Sequence, residues 1–370
     1  MKEFPVFRIS GTAYERGRQF GQLARGQIVT NLRAYERAFR EGAAISWEVA
    51  TAYAAQFIPW IEQYDAEIME EIKGISEGAG LDLQDIVALN ARSEIITNLG
   101  GSTSKADGCT CIAAVPPATK RQETLIGQNW DWVNLVADGL VVVEIEQPPR
   151  PTILMITEAG IVGKIGMNAK GLAVCLNFLR TSEKSVGVPI HIILRGILNS
   201  STLPQAIRQI TRLPRGTAAN YLLAHREGEA VGVETAQVNY DVLYPLEGHI
   251  THTNHFVCPR IQVDDSVRMG ASDTYLRMGR ATKLLTAERG NIDEDDIKDI
   301  FRDHFSYPNA ICRHGEAEEN EEAALLDCTL FSIVMNLTTG TFELSKGQPC
   351  QSTYERYHFS EKHEIAKPIL

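Results

Sequence analysis

The chain has 370 residues, 44% hydrophobic and 22% charged, the balance of an ordinary globular protein that buries a sizeable core. That length suits either two domains or one large layered unit. A net charge of −11 with no Lys/Arg-rich block argues against a nucleic-acid partner, and no run approaches the ~18 apolar residues of a membrane span.

Residues 12–98 read as one helical block, with 3.6-period apolar spacing in Tyr14-Glu15-Arg16-Gly17-Arg18-Gln19-Phe20-Gly21 and along 61–72. Gly17 and Gly21 suit close helix packing rather than a phosphate loop, and Gly11 a turn. Residues 99–107 turn to Gly, Ser, Thr and Lys, the composition of an exposed loop. Strand-like runs follow at 110–115, 124–132, 140–146, 152–157, 163–167 and 172–177, with short turns that imply hairpins and an antiparallel sheet. Helices are predicted over 189–199 and 203–213, and strands over 221–224, 230–235 and 249–253. Two more helices, 274–288 and 293–304, precede a hairpin of 330–336 with 341–345, and the acidic stretch 316–322 reads as a solvated loop. This alternation suggests an α+β fold with sheets stacked between helical layers.

The N-terminus, Met1-Lys2-Glu3-Phe4-Pro5-Val6-Phe7, lacks the apolar core of a secretory leader, and Lys367-Pro368-Ile369-Leu370 is no peroxisomal address. Seven cysteines at irregular spacing suit a reducing compartment. A cytoplasmic location is expected.

Gly108-Cys109 is the most informative dipeptide. Glycine leaves its carbonyl open to close approach, and the cysteine thiol is the best nucleophile in the chain. Attack of the Cys109 thiol on the Gly108 carbonyl gives a thioester that water can open, freeing an α-amine beside its own thiol. The amine pKa of about 7.7–8.0 and the thiol pKa of about 8.5 are matched for base catalysis without histidine. The same dipeptide also suits a turn feeding a buried strand cysteine. His252-Thr253-Asn254-His255 offers two histidines with no third ligand at a known spacing, so no metal site is expected in the chain.

Five segments in order carry a resemblance. They are Asp107-Gly108-Cys109-Thr110, Gly127-Gln128-Asn129-Trp130-Asp131, Ile156-Thr157-Glu158-Ala159-Gly160-Ile161-Val162-Gly163, Thr251-His252-Thr253-Asn254-His255, and Tyr307-Pro308 with Ile311-Cys312-Arg313. Together they resemble the isopenicillin N acyltransferase-like family of N-terminal nucleophile (Ntn) hydrolases. The resemblance implies a four-layer αββα sandwich with antiparallel sheets, made as one domain over 1–370 and cut into chains 1–108 and 109–370 that stay associated. It assigns Cys109 as nucleophile, Asp131 as the carboxylate that orients the new amine, Asn254 to the oxyanion side and Arg313 to the thiol. A guanidinium lowers a thiol pKa, and an amide N–H stabilises a tetrahedral oxyanion. Read singly, Asp131 also suits a strand-end turn, Arg313 a structural ion pair and Asn254 a left-handed turn.

The expected activity is acyl transfer through a Cys109 thioester, from a small-molecule acyl donor to an amine acceptor or to water. Acyl-CoA is a possible co-substrate, and no cofactor is required. A plain amidohydrolase of N-acyl amino acids or related amides is the alternative, and a non-catalytic binding protein of the same fold stands behind both. Cys111, Ala236 beside Thr235, and Ala310 depart from hydroxyl-bearing residues of the penicillin-processing members. Simple N-acyl or acyl-CoA substrates are therefore expected to be handled better than penicillins.

Overall fold

The computed structural model describes residues 3–100, 108–264, 272–315 and 326–360. The expected loop at 101–107 and the acidic stretch at 316–322 lie outside the described residues.

The helical block is not continuous. After β1 (Val6–Ser10) it divides into α1 (Ala13–Leu23), α2 (Arg25–Ala43), α3 (Trp47–Ala54), α4 (Ile58–Tyr64), α5 (Ala66–Ala79), α6 (Leu83–Asn90) and α7 (Arg92–Leu99). The breaks have local causes. Thr12 and Glu15 form a capping box at the start of α1, Asp65 caps α5, and Gly80 closes α5 in the left-handed conformation. Gly17 and Gly21 behave as expected: a Cβ at Gly17 would lie 2.0 Å from the Glu71 carbonyl oxygen, and one at Gly21 2.3 Å from that of Ile75. Gly74 and Gly78 meet α1 in the same way, so four glycines bring α1 and α5 into backbone contact.

Next come β2 (Thr110–Ala114), β3 (Leu125–Val133), β4 (Leu140–Glu146), β5 (Ile153–Glu158), β6 (Ile165–Asn168), β7 (Leu172–Phe178), α8 (Ile190–Leu198) and α9 (Leu203–Thr211). They are followed by β8 (Ala219–His225), β9 (Glu229–Thr235), β10 (Tyr240–Leu243) and β11 (His249–His252). α10 (Asp273–Ala287), α11 (Glu294–Phe301), β12 (Asp327–Asn336), β13 (Thr341–Lys346) and β14 (Tyr354–His358) complete the described chain. One sheet runs β1-β4-β5-β6-β7-β8-β9-β10, the other β11-β2-β3-β12-β13-β14. All pairings are antiparallel except β1 with β4.

β2 and β3 pack on β7 and β8, while α2, α8 and α9 cover the outer face of the first sheet and α10 and α11 that of the second. The result is the expected four-layer αββα sandwich. Alternation along β2 feeds both interfaces: Cys111 and Ala113 enter the inter-sheet core, Ile112 and Ala114 the core under α10 and α11. β1, β10 and β14 were not foreseen. Each is an edge strand with at most one buried residue, so none shows an apolar alternation. Among the described residues no helix is long and apolar enough to cross a membrane.

Candidate active site

Gly108 and Cys109 lead into the first residue of β2, at the edge of the inter-sheet layer. Thr110 pairs with Asn129 as the last register pair of β2 with β3, and the two residues before it run on beside the end of β3 that carries Asp131. On the other flank of Asp131, β12 presents Thr329 just before a bulge. The Thr329 hydroxyl donates to Asp131 Oδ1 at 2.6 Å. Cys109 joins the inter-sheet core, and its Sγ lies 3.9 Å from the Asp131 carbonyl oxygen.

Asp131 is completely buried. Burial pushes its carboxyl up to about 7, against the opposing pull of Arg313, Arg277 and the Thr329 hydroxyl. Arg313 is tied to β12 by two backbone bonds: its N–H donates to Thr329 Oγ1 at 3.0 Å and its carbonyl accepts from the Thr329 N–H at 3.1 Å. Its guanidinium donates to Asn309 Oδ1 and to Asp273. Its Nε stands 3.5 Å from Asp131 Oδ2, and neither atom has a hydrogen-bond partner among the described residues. Gly108 lies against this pair. A Cβ on it would come within 2.2 Å of Arg313 Nε and 2.6 Å of Asp131 Oδ2, so only glycine fits.

Sequence reading missed Arg277. From α10 this fully buried guanidinium donates through Nη1 to the carbonyl oxygens of Gly108 and Cys109, both at 2.8 Å, and to Thr110 Oγ1 at 3.2 Å. Nη2 donates to Asn254 Oδ1 at 3.2 Å, and Nε pairs with Asp273 at 2.9 Å. Within a helical pattern an arginine reads as a solvated charge, so no local signal marks it. Asn254 is further set by its N–H to Thr274 Oγ1 at 2.9 Å and by Nδ2 to the Phe178 carbonyl at 3.2 Å. It reaches the site through Arg277. Asn177, also missed because it sits in an apolar strand, donates to the Cys109 carbonyl at 3.2 Å and is itself held by Asn220.

The structure therefore gathers Gly108, Cys109, Asp131 and Arg313, joins Asn254 to them by way of Arg277, and adds Arg277, Asp273, Thr329 and Asn177. The two histidines beside Asn254 are engaged elsewhere. His252 Nε2 meets Glu234 at 2.7 Å, and His255 Nδ1 meets Thr274 Oγ1 at 3.0 Å. Cys111 is buried next to Cys175, and burial holds its thiol well above the usual range. Ala236 and Ala310 are buried and apolar, while the Thr235 hydroxyl is spent on the Ala219 carbonyl.

A second polar cluster lies under Trp130. Lys164 Nζ sits 3.5 Å from the centre of that ring and pairs with Glu158, which also takes Arg92 and Tyr35. Burial lowers the Lys164 amine to about 8 against the pull of Glu158, and Cys109 lies within its electrostatic reach. Burial pushes Glu158 upward, but Arg92 and Lys164 together hold it below the usual carboxylate range.

The fold is a layered αββα sandwich with a buried cysteine just before a strand, and comparison with known proteins places it in an acyltransferase and acylase enzyme family. Residues 118–351 match the family model for acyl-coenzyme A:6-aminopenicillanic acid acyl-transferase. The chain is 30% identical over 349 residues to the 40 kDa form of acyl-coenzyme A:6-aminopenicillanic-acid-acyltransferase from Emericella nidulans, covering 92% of this chain and 91% of that protein. Solved structures similar to it include a mutant conjugated bile acid hydrolase from Clostridium perfringens, at TM-score 0.46 and 14% identity over 68% of this chain and 97% of that one. Penicillin V acylase from Agrobacterium tumefaciens follows at TM-score 0.43 and 14% identity, over 64% of this chain and 83% of that one. The chain belongs to the acyl-coenzyme A:6-aminopenicillanic acid acyltransferase family.

Proposed function

We propose that the chain cuts itself between Gly108 and Cys109 and then works as an N-terminal cysteine acyltransferase. The observation that carries this reading is the Gly108 carbonyl, held by Arg277 at 2.8 Å next to an Asp131 oxygen and an Arg313 nitrogen that have no hydrogen-bond partner among the described residues. Cys109 Sγ adds to the Gly108 carbonyl carbon, and Arg277 stabilises the oxygen as it gains charge. The C–N bond breaks, the proton goes to the departing nitrogen, and a Gly108 thioester with a free Cys109 amine results. Water then opens the thioester to a Gly108 carboxylate and the Cys109 thiol.

Departure of Gly108 clears the space against Asp131 Oδ2 and Arg313 Nε. The new ammonium donates to Asp131 Oδ2, which supplies the hydrogen-bond donor that this oxygen lacks among the described residues of the uncut chain. In turnover the neutral amine takes the thiol proton as Cys109 attacks an acyl thioester such as acyl-CoA, or an amide. The donor's thiol or amine leaves with that proton, and an amine acceptor or water receives the acyl group from Cys109. Asn254, fixed by Arg277, stands on the oxyanion side.

The fragments 1–108 and 109–370 stay associated in this account. The pairing of β1 with β4, the packing of α2 on β5 and the buried Glu71–Arg195 ion pair all cross the cut. Quenched incubation with an acyl-CoA tests the turnover step. One acyl group on a peptide beginning at Cys109, discharged faster when an amine is added, is the expected result, and protein without label in a turning-over reaction contradicts it.

A further inference from the structure

Away from the nucleophile, four metal-ligating side chains converge beside the loop that carries Arg313. His304 Nε2 lies 3.1 Å from His314 Nε2, Cys350 Sγ 3.3 Å and Cys312 Sγ 3.6 Å from that same nitrogen. All four donor atoms fall within 4.8 Å of one another. A tetrahedral zinc ion with bonds of about 2.0–2.3 Å sets its ligand atoms about 3.3–3.8 Å apart. The three separations to His314 Nε2 already approach those of such a tetrahedron.

Hydrogen bonding does not account for the cluster. One imidazole nitrogen is either a single donor or a single acceptor, yet His314 Nε2 faces three polar atoms at once. A cation at the centre satisfies all four lone pairs together. We propose that His304, Cys312, His314 and Cys350 bind one structural zinc ion in a Cys2His2 site. On binding, both thiols release their protons to solvent, and the two thiolates balance the charge of the ion. The surrounding loop is prepared for this. The Cys312 N–H donates to the Asp303 carbonyl at 3.0 Å and the His314 N–H to the Pro308 carbonyl at 3.0 Å, while the Tyr307 ring packs against both histidines.

The placement gives the ion a use. Arg313 lies between two of the ligands, and the fourth comes from the turn after β13, so the ion ties the Arg313 loop to the second sheet. The sequence expectation of no metal considered only His252 and His255. Cys-x-His with partners far along the chain matches no zinc spacing.

The test uses the full chain, in wild-type and Cys109→Ala forms, so that the result does not depend on self-cleavage. Protein purified reduced and free of chelator is loaded with zinc, desalted and analysed for metal, and apoprotein is titrated with cobalt(II). About one zinc per chain and a cobalt spectrum with thiolate charge-transfer and tetrahedral ligand-field bands are expected. Cys350→Ser and His304→Ala, at the solvent side of the cluster, each lower zinc affinity by about tenfold or more. Far less than one zinc in loaded wild type, an octahedral cobalt spectrum, variants that retain zinc as wild type does, or a Cys312–Cys350 disulfide in the reduced preparation overturns the proposal. The cobalt titration of wild type stands even where a variant fails to fold.

Discussion

Glu71 and Asp131 are both buried carboxylates facing two arginines, yet one is saturated and the other is not. Glu71 takes Arg195 Nη1 at 2.7 Å and Nη2 at 2.8 Å, and Arg16 adds Nε at 3.2 Å and Nη2 at 3.1 Å. Against the upward push of burial, those two guanidinium groups hold it below the usual carboxylate range. Asp131 has one hydroxyl on Oδ1, an Oδ2 with no hydrogen-bond partner among the described residues and only Arg313 Nε at 3.5 Å, and a carboxyl pushed up to about 7. The same ingredients give a bolt in one place and a poised group in the other. What separates them is hydrogen-bond completion, because an unfilled buried carboxylate keeps its desolvation cost until a new donor arrives.

Substitution is the sharpest way to break this contrast. Asp131→Asn is expected to lower acyl transfer in processed protein by about 10²–10⁴ while leaving the fold intact. Glu71→Gln is expected to do the reverse: about 3–5 kcal/mol of stability lost, with kcat/KM per folded molecule close to wild type. Steady-state kinetics with denaturant unfolding on both variants checks the pair. Equal loss of activity in the two would erase the distinction. Arg277→Gln is expected to slow cleavage at Gly108 by about 10²–10³, the range for one oxyanion donor, read as precursor half-life after synthesis. An unchanged half-life would leave Arg277 a packing residue.

The contrast also carries opposite pH signatures. Asp131 has its folded pKa raised, so its contribution is fully present below the unfolded value of about 3.9 and is lost as pH rises through about 7. In the uncut Cys109→Ala background, Asp131→Asn is therefore expected to stabilise the chain above pH 7, by up to about 4 kcal/mol. The advantage vanishes below about pH 4. Glu71 has its folded pKa depressed, so its contribution is present above the unfolded value and fades as pH falls through the lower folded one. Urea midpoints against pH for the three proteins test this. A pH-independent gap between Cys109→Ala and its Asp131→Asn derivative would show that Asp131 is already ionised when buried.

The smallest effect concerns the acceptor. Cys111, Ala236 and Ala310 offer no hydroxyl, so preference for 6-aminopenicillanic acid over simple amines is expected to stay within about tenfold, roughly 1.4 kcal/mol. Competing acceptors with one acyl-CoA donor measure it. A larger preference would place control of the pocket elsewhere.

Sequence alone exposed the parts of this site with a local signature. Gly108-Cys109 stands at a change from loop to strand composition, whereas Asp131, Asn254 and Arg313 came only through the family resemblance of their segments. The glycines of α1 were legible because helix spacing brings them to one face. Arg277 and Asp273 were not, since their partners are set by how α10 crosses the start of β2. Asn177 hid in an apolar strand for the same reason. The edge strands β1, β10 and β14 carried no alternation because each lacks a buried face. The cluster of His304, Cys312, His314 and Cys350 exists only once the turn after β13 is folded against the loop.

On the function proposed above, Asp131 Oδ2 has no hydrogen-bond partner among the described residues because its partner is an amine that the chain has yet to make. Intact-mass spectrometry with N-terminal sequencing of freshly purified wild type and Cys109→Ala tests it most directly. Self-cleavage at Gly108 requires two co-purifying chains in wild type, the second beginning at Cys109, and a single inactive chain in Cys109→Ala. A wild-type protein that remains one uncut chain and is fully active would contradict it.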